Sequence, residues 1–334
     1  MGQVLNARSI ARAEAVASLT ALFAPFDADP ADVERASLWL LQAELLGLPE
    51  FGVGMLRRDL DRLDAIEGST DAAAEPPAEG RGAVAAAAID ASAAPGILAL
   101  AAAVRLAEER VQLAGAAIVG IRGAGAMGVL GCAARSLALG GAIGVVAAQS
   151  PAAVAPWGAT TAAIGTNPLA IGVPRAAQHP LVVDYASSPV TLAVVRRAQA
   201  EQAPLAAGLL VDRDGRPTTD PAAVGAILPD SLLGSLTGLV VELVAGVGVG
   251  GRTADARQPA TRGAIVIAFD PKAAGAVDAT GASARLGEDW RAAGGHLPAR
   301  FDALPPSLDA LPETITLTTA AAEWLASIGG GAAR

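Results

Sequence analysis

Ile164-Gly165-Thr166-Asn167-Pro168-Leu169-Ala170-Ile171-Gly172-Val173-Pro174 is the stretch whose reading decides the fold. Its first half, Gly165-Thr166-Asn167-Pro168, is turn chemistry rigidified by the proline. Its end, Ile171 to Pro174, is apolar enough for a short buried strand. A turn rich in backbone donors suits a cofactor phosphate or ribose, although an ordinary structural turn uses the same residues. Upstream lies Val154-Ala155-Pro156-Trp157-Gly158-Ala159. Downstream, Leu181 to Asp184 reads as a second short strand that runs into Tyr185-Ala186-Ser187-Ser188. An acid at a strand end lines a cleft in α/β sheets, or it caps a helix. Within Leu209 to Pro221, Asp212 to Gly215 reads as a tight polar turn.

Taken in order and spacing, these segments resemble the NAD(P)-dependent malate/L-lactate/ureidoglycolate dehydrogenase family. Val154 to Ala159 and Ile164 to Pro174 are similar to its V-x-P-x-G-G and G-T-N-P-L-A-x-x-x-P stretches. Val183 to Ser188 is similar to its D-M-A-T-S, and Leu209 to Pro221 to its W-A-x-D-x-D-G-x-P-T-T-D-P. The likeness runs from about Ile10 to Ser327. It implies an α/β fold with a central mixed sheet and a non-Rossmann cofactor site, its N-terminal helical region packed with the C-terminal helix. It also implies a homodimer with the active site near the subunit interface. Cofactor contacts carried over from it are Pro156, Trp157, Gly158, Gly165, Thr166, Asn167, Pro168 and Ser187.

The family's catalytic motifs are where the chain departs from it. The S-H-G motif falls on Glu50-Phe51-Gly52, and the arginine three residues on is Met55. The N-S-x-H-x-G motif falls on Gly123-Ala124-Gly125-Ala126-Met127-Gly128, with Ala126 for the histidine, and the lysine of G-x-K-G is Leu233. His179 and His296 are the chain's 2 histidines, both in loops, and Lys272 is its only lysine. Reduction of a 2-oxo acid needs a proton donor and a cation for the carboxylate. Losing a general acid costs about 10²–10⁴ in rate, so ordinary malate or lactate oxidation is not expected. Replacement acids are Glu50, Asp184 and Tyr185. Phe51, Met55, Ala126, Met127 and Leu233 would make the substrate pocket apolar.

The hexapeptide Gly123 to Gly128 also matches G-x-G-x-x-G between a strand and a helix. This makes a Rossmann domain the alternative architecture. The next strand, however, ends in Gln149-Ser150, without the acid that binds a ribose.

Further out, helical spacing covers Ile10 to Leu22, Ala31 to Leu46, Val53 to Ile66, Ile97 to Leu113, Val129 to Leu139, Leu232 to Ala245 and Leu317 to Ile328. Asp29-Pro30 reads as N-cap and first residue of the second helix, and Gly47 to Gly52 as a turn. Strands are expected at Ala83 to Ile89, Ala116 to Ile121, Ile143 to Ala148 and Gly263 to Asp270. Ser69 to Gly82 reads as a solvated linker. The expected organisation is a helical region at 1–70, an α/β cofactor and substrate domain at 71–299, and a C-terminal segment at 300–334.

Composition bounds the function. With 52% hydrophobic but only 3% aromatic residues, the 334-residue chain must close-pack small side chains, with helices lying near strands. No uninterrupted apolar run reaches the roughly 18–20 residues of a membrane span. Arg8, Arg12 and Glu14 interrupt the N-terminal apolar pattern, against a signal peptide. A lone Cys132 fits the cytosol, and a net charge of −9 without a basic run argues against nucleic acid or anionic lipid. The expected partner is a small molecule. Three readings follow: a diverged NADPH- or NADH-dependent reductase of a C=N or other activated bond, a non-redox enzyme of cyclisation or elimination type in an apolar cleft, or an inactive binding or scaffold protein.

Overall fold

Asp29 and Pro30 open a helix as their chemistry predicts. The Asp29 carboxylate accepts the Ala31 amide at 2.9 Å, and Pro30 sits where no amide is needed. The computed structural model describes residues 7–67, 84–251 and 262–331; the expected linker at 69–82 lies outside them. From the N-terminus come β1 (Ala7–Ala11), α1 (Arg12–Phe23), α2 (Pro30–Leu45), α3 (Val53–Glu67), β2 (Ala86–Asp90) and α4 (Gly96–Ala114). Then follow β3 (Ala116–Ala124), α5 (Leu130–Leu139), β4 (Ile143–Ala148), β5 (Leu169–Val173), β6 (Leu181–Tyr185) and α6 (Leu192–Glu201). The remainder is β7 (Leu210–Asp212), β8 (Pro217–Thr218), β9 (Val224–Ile227), α7 (Leu232–Val241), β10 (Arg262–Phe269), α8 (Ala279–Ala292), β11 (Thr314–Thr318) and α9 (Thr319–Gly331).

The central sheet has six strands in the order β2-β3-β10-β4-β5-β6. Only β2 and β3 run parallel; every other neighbouring pair is antiparallel. This mixed sheet corrects the Rossmann alternative, which needs a parallel doubly wound sheet. Helices α4 and α5 lie on the sheet at very short range, as the small-residue composition requires. A Cβ on Gly172 of β5 would come within 2.1 Å of the Ala134 carbonyl of α5. The Asp212–Gly215 turn joins β7 to β8, with Asp212 Oδ1 accepting the amides of Asp214 and Arg216 at 2.9 Å each.

The N-terminal helices pack with the C-terminal helix through α1 and α9, and Ser18 Oγ donates to the Leu325 carbonyl at 3.1 Å inside that contact. Two helix boundaries read from the sequence are corrected here. Ile10 and Ala11 belong to β1, and Leu317 and Thr318 to β11, because these segments pair antiparallel with Ile10 opposite Ile315. Both isoleucines are buried, so a partner some 300 residues away overrides local helical spacing. The expected helix Leu232 to Ala245 is α-helical only to Val241 and continues as a π-helical turn over Glu242–Val247.

Candidate functional site

The segment Leu48 to Arg62 forms one wall of a cavity of about 530 Å³. A short 3-10 turn, Pro49–Phe51, feeds Glu50 and Phe51 to this wall, and α3 continues it with Met55, Arg58, Asp59 and Arg62. Opposite stand the loop Gly125 to Val129, the end of β4 with Gln149 to Pro151, the turn at Thr166 and Pro168, and the end of β6. The first turn of α6 closes one side. A second hollow, beside Arg175, His179 and Arg291, gathers none of the motif residues.

Asp184 stands at the end of β6 and lines this cavity. Its Oδ2 accepts the Gly131 amide at 3.0 Å, in the first turn of α5, where the helix dipole favours a negative charge. Gly131 must lack a side chain for this contact. A Cβ there would lie 2.2 Å from the Phe301 ring and 2.8 Å from Asp184 Oδ2. Burial raises the Asp184 carboxyl to about 6, with the Gly131 amide and then Arg300 pulling the other way. Tyr185 follows on the other face of the strand and stands at the rim, 44% exposed.

Glu50 is held differently. Its Oε1 lies 3.6 Å from Arg197 Nη1, while Oε2 is buried with no hydrogen-bond partner. Phe51, Met55, Ala126 and Met127 meet in the cavity and contribute to its apolar surface. The glycines of the G-x-G-x-x-G match have packing reasons of their own. Gly123 and Gly128 have φ of +69° and +77°, and a Cβ on Gly125 would fall 1.6 Å from Asp59 Oδ1.

The Gly165–Pro168 turn is a locked joint. Asn167 is fully buried at φ +35°; it accepts the Ser150 amide at 3.0 Å through Oδ1. Its Nδ2 donates to the Gly238 carbonyl and to Glu242 Oε2, each at 2.9 Å. Ser187 Oγ donates to the Thr166 carbonyl at 3.0 Å. Asn167 and Ser187 thus fasten the turn, and Thr166 and Pro168 are its members that line the cavity. Gly165 abuts Ser150, where a Cβ would lie 2.2 Å from the carbonyl oxygen. Pro156, Trp157 and Gly158 do not line the cavity. Trp157 is 53% exposed, and its amide donates to Ser235 Oγ at 3.0 Å. Leu233, on α7, points to solvent at 73% exposure and is not brought to the site.

Sequence reasoning missed the cavity's cations. Arg58, Arg62, Arg196, Arg262 and Arg300 all line it. The i, i+4 spacing of Arg58 and Arg62 within the helical segment Val53 to Ile66 was a usable signal. Arg196 and Arg262 carried none, being remote in sequence. Asp59 was missed as well. It takes the Arg62 Nε at 2.7 Å and the Gly96 amide, at the start of α4, at 2.8 Å. Behind the wall, Glu44 accepts the Val53 amide at 2.8 Å, and burial raises its carboxyl to about 7.

A sequence profile described as malate/L-lactate dehydrogenase matches residues 10–294. The chain is 40% identical over 157 residues to a Delta(1)-pyrroline-2-carboxylate/Delta(1)-piperideine-2-carboxylate reductase of Pseudomonas syringae pv. tomato, covering 46% of each chain. It is 37% identical over 153 residues to a (2R)-3-sulfolactate dehydrogenase (NADP(+)) of Chromohalobacter salexigens, covering 44% of this chain and 46% of that one. The chain thus spans about half the length of the curated relatives it matches. The crystal structure of delta1-piperideine-2-carboxylate reductase from Pseudomonas syringae superposes with a TM-score of 0.77 at 28% identity, over 96% of this chain and 99% of that one.

Proposed function

The chain belongs to the malate/L-lactate dehydrogenase family, and from that membership we propose that it is a nicotinamide-dependent reductase of a C=N or similarly activated bond in a small molecule. Proton handling at Asp184 carries the reading. A carboxyl raised to about 6 inside a cavity holds a proton closer to neutral pH than an ordinary aspartate does. An imine asks for one proton at nitrogen and one hydride at carbon. It needs neither of the histidines that the family motifs would supply at Phe51 and Ala126.

The cavity's size and lining support a nicotinamide ring as its occupant. Its volume of about 530 Å³ lies within the roughly 300–1,000 Å³ of ligand sites. Phe51, Met55 and Met127 provide apolar surface for a ring, and the unpartnered Glu50 Oε2 is an acceptor for a hydroxyl or amide. Thr166 and Pro168 would hold the cofactor on the turn that Asn167 and Ser187 fasten, and the bound nicotinamide, NADPH or NADH, would supply the hydride. Asp184 Oδ would then pass its proton to the imine nitrogen, and Tyr185 would orient the substrate at the rim. Phe51 and Met127 would exclude water from the reacting carbon. We further propose a cytosolic homodimer, supported by the exposed apolar face of α7, on which Leu232, Leu233, Leu236 and Val240 stand 47–73% exposed.

Calorimetric titration of the purified chain with NADPH, NADH, NADP and NAD tests the redox reading. Micromolar binding of any of these is the expected result, and would be followed by turnover assays on cyclic imines and 2-oxo acids. Absence of heat at millimolar cofactor sinks the reductase, and the apolar wall would then favour a repurposed non-redox site.

A further inference from the structure

The acids in the cavity do not balance its arginines. Arg58 and Arg62 come from α3, Arg196 from α6 and Arg262 from the first residue of β10, and all four line the same cavity. Among the described residues, two carboxylates stand with them, Asp59 and Glu50. Asp59 is already divided between Arg62 Nε and the Gly96 amide. Glu50 faces Arg197 at 3.6 Å, and Arg58 reaches only its backbone carbonyl, at 2.8 Å. As a result, both Nη atoms of Arg62 and the Nε of Arg262 are buried without a hydrogen-bond partner. Burial acts most strongly on Arg262; Asp59 favours its charge, Arg196 and Arg62 oppose it, and the guanidinium is brought down to about 10.

A buried guanidinium with unmet donors is unfavourable unless an anion meets it. Concentrating four guanidinia in one cavity of a chain whose net charge is −9 is the opposite of what the overall composition would place there. Low-dielectric walls focus such a local field on whatever enters. The planar forks of arginine match oxyanions in two-point fashion.

We propose that Arg58, Arg62, Arg196 and Arg262 form a subsite for an oxyanion bearing two or more charges, a phosphate or a pair of carboxylates, delivered by the substrate or by a dinucleotide cofactor. The proposal rests on the cavity's being the ligand site, and it fixes the anionic end of the ligand at the α3–α6–β10 corner. Met55, where the family motif would supply an arginine, has no part in it. Asp184, at the end of β6, and Arg300 line the same cavity, in which, as proposed, one ligand presents an anionic group to the arginines and a reacting bond to the aspartate.

The test is calorimetric titration of the full chain with inorganic pyrophosphate at low salt, with and without saturating NADPH. The unsubstituted chain is expected to bind pyrophosphate, and Arg262→Met and Arg196→Gln each to weaken it by about tenfold or more, the loss of a charge-assisted contact. Arg196 is exposed on α6, so its substitution reads the site without disturbing the core. Competition between pyrophosphate and NADPH assigns the subsite to cofactor phosphates. Simultaneous binding assigns it to the substrate. Pyrophosphate binding without any NADPH binding retains the subsite while removing the redox reading. No binding at millimolar pyrophosphate, or affinity unchanged in both variants, overturns the proposal.

Discussion

Asp184 is tied to its chemistry by burial and by two neighbours. The Gly131 amide and Arg300 favour the ionised carboxylate, and burial favours the neutral acid more strongly. The group therefore keeps its proton up to about pH 6, and reductive turnover that uses that proton declines as pH rises through this value. Asp184→Asn removes the proton donor while keeping an acceptor for the Gly131 amide. We expect its kcat to fall by about 10²–10⁴ and the decline near pH 6 to disappear from kcat/KM. Unchanged turnover and an unchanged profile would exclude Asp184 as the acid. At this scale the sequence was informative wherever chemistry is local. Asp184 stood out at a strand end, and the histidine-free motif positions were visible by count. The partner that holds Asp184 was not visible, because Gly131 belongs to a helix laid across the sheet.

At the scale of elements, Glu44 is the joint between α2 and α3. Its Oε1 caps the start of α3 through the Val53 amide, and Gly52 leaves room for it, since a Cβ there would lie 2.2 Å away. Burial, with a smaller push from Glu50, raises the carboxyl from an ordinary 4.5 to about 7. The folded chain thus keeps a proton that the unfolded chain releases first. Stability contributed by the protonated Glu44 is complete below about pH 4.5 and is lost as pH rises to about 7. Glu44→Gln keeps the acceptor and removes the titration. Its thermal midpoint should depend less steeply on pH across this window, by roughly 2–3 kcal/mol at neutral pH, while the contribution of Asp184 remains. Equal slopes for both proteins would rule this out. The helices were legible here because amphipathic spacing and the Asp29-Pro30 cap are short-range signals. The short strand at Ala7–Ala11 was not, because only pairing with Thr314–Thr318 stabilises it.

At the scale of the whole molecule, the proposed homodimer rests on an apolar face exposed among the described residues. The α7 helix and the π-helical turn after it expose Leu239 at 45%, Leu243 at 52% and Val247 at 57%, beside the leucines already described. An apolar face of this length on an acidic protein is where a second chain would bury surface. Light scattering is expected to give about twice the 32.9 kDa of one chain, and Leu236→Arg with Val240→Arg to halve that mass. A monomeric unsubstituted chain at micromolar concentration contradicts the homodimer.

By itself the sequence determined most of the helices and the central strands, the capped and glycine-marked turns, and the absence of histidine at the positions matching the family's motifs, because each depends on residues within a few positions of one another. Tertiary structure alone decided which charges share the cavity. Arg58, Arg62, Arg196 and Arg262 meet only where α3, α6 and β10 converge, and Asp59, Glu50 and Arg197 are shared out by that same convergence. Burial and electrostatic balance depend on what surrounds a group in space, and no local pattern records them.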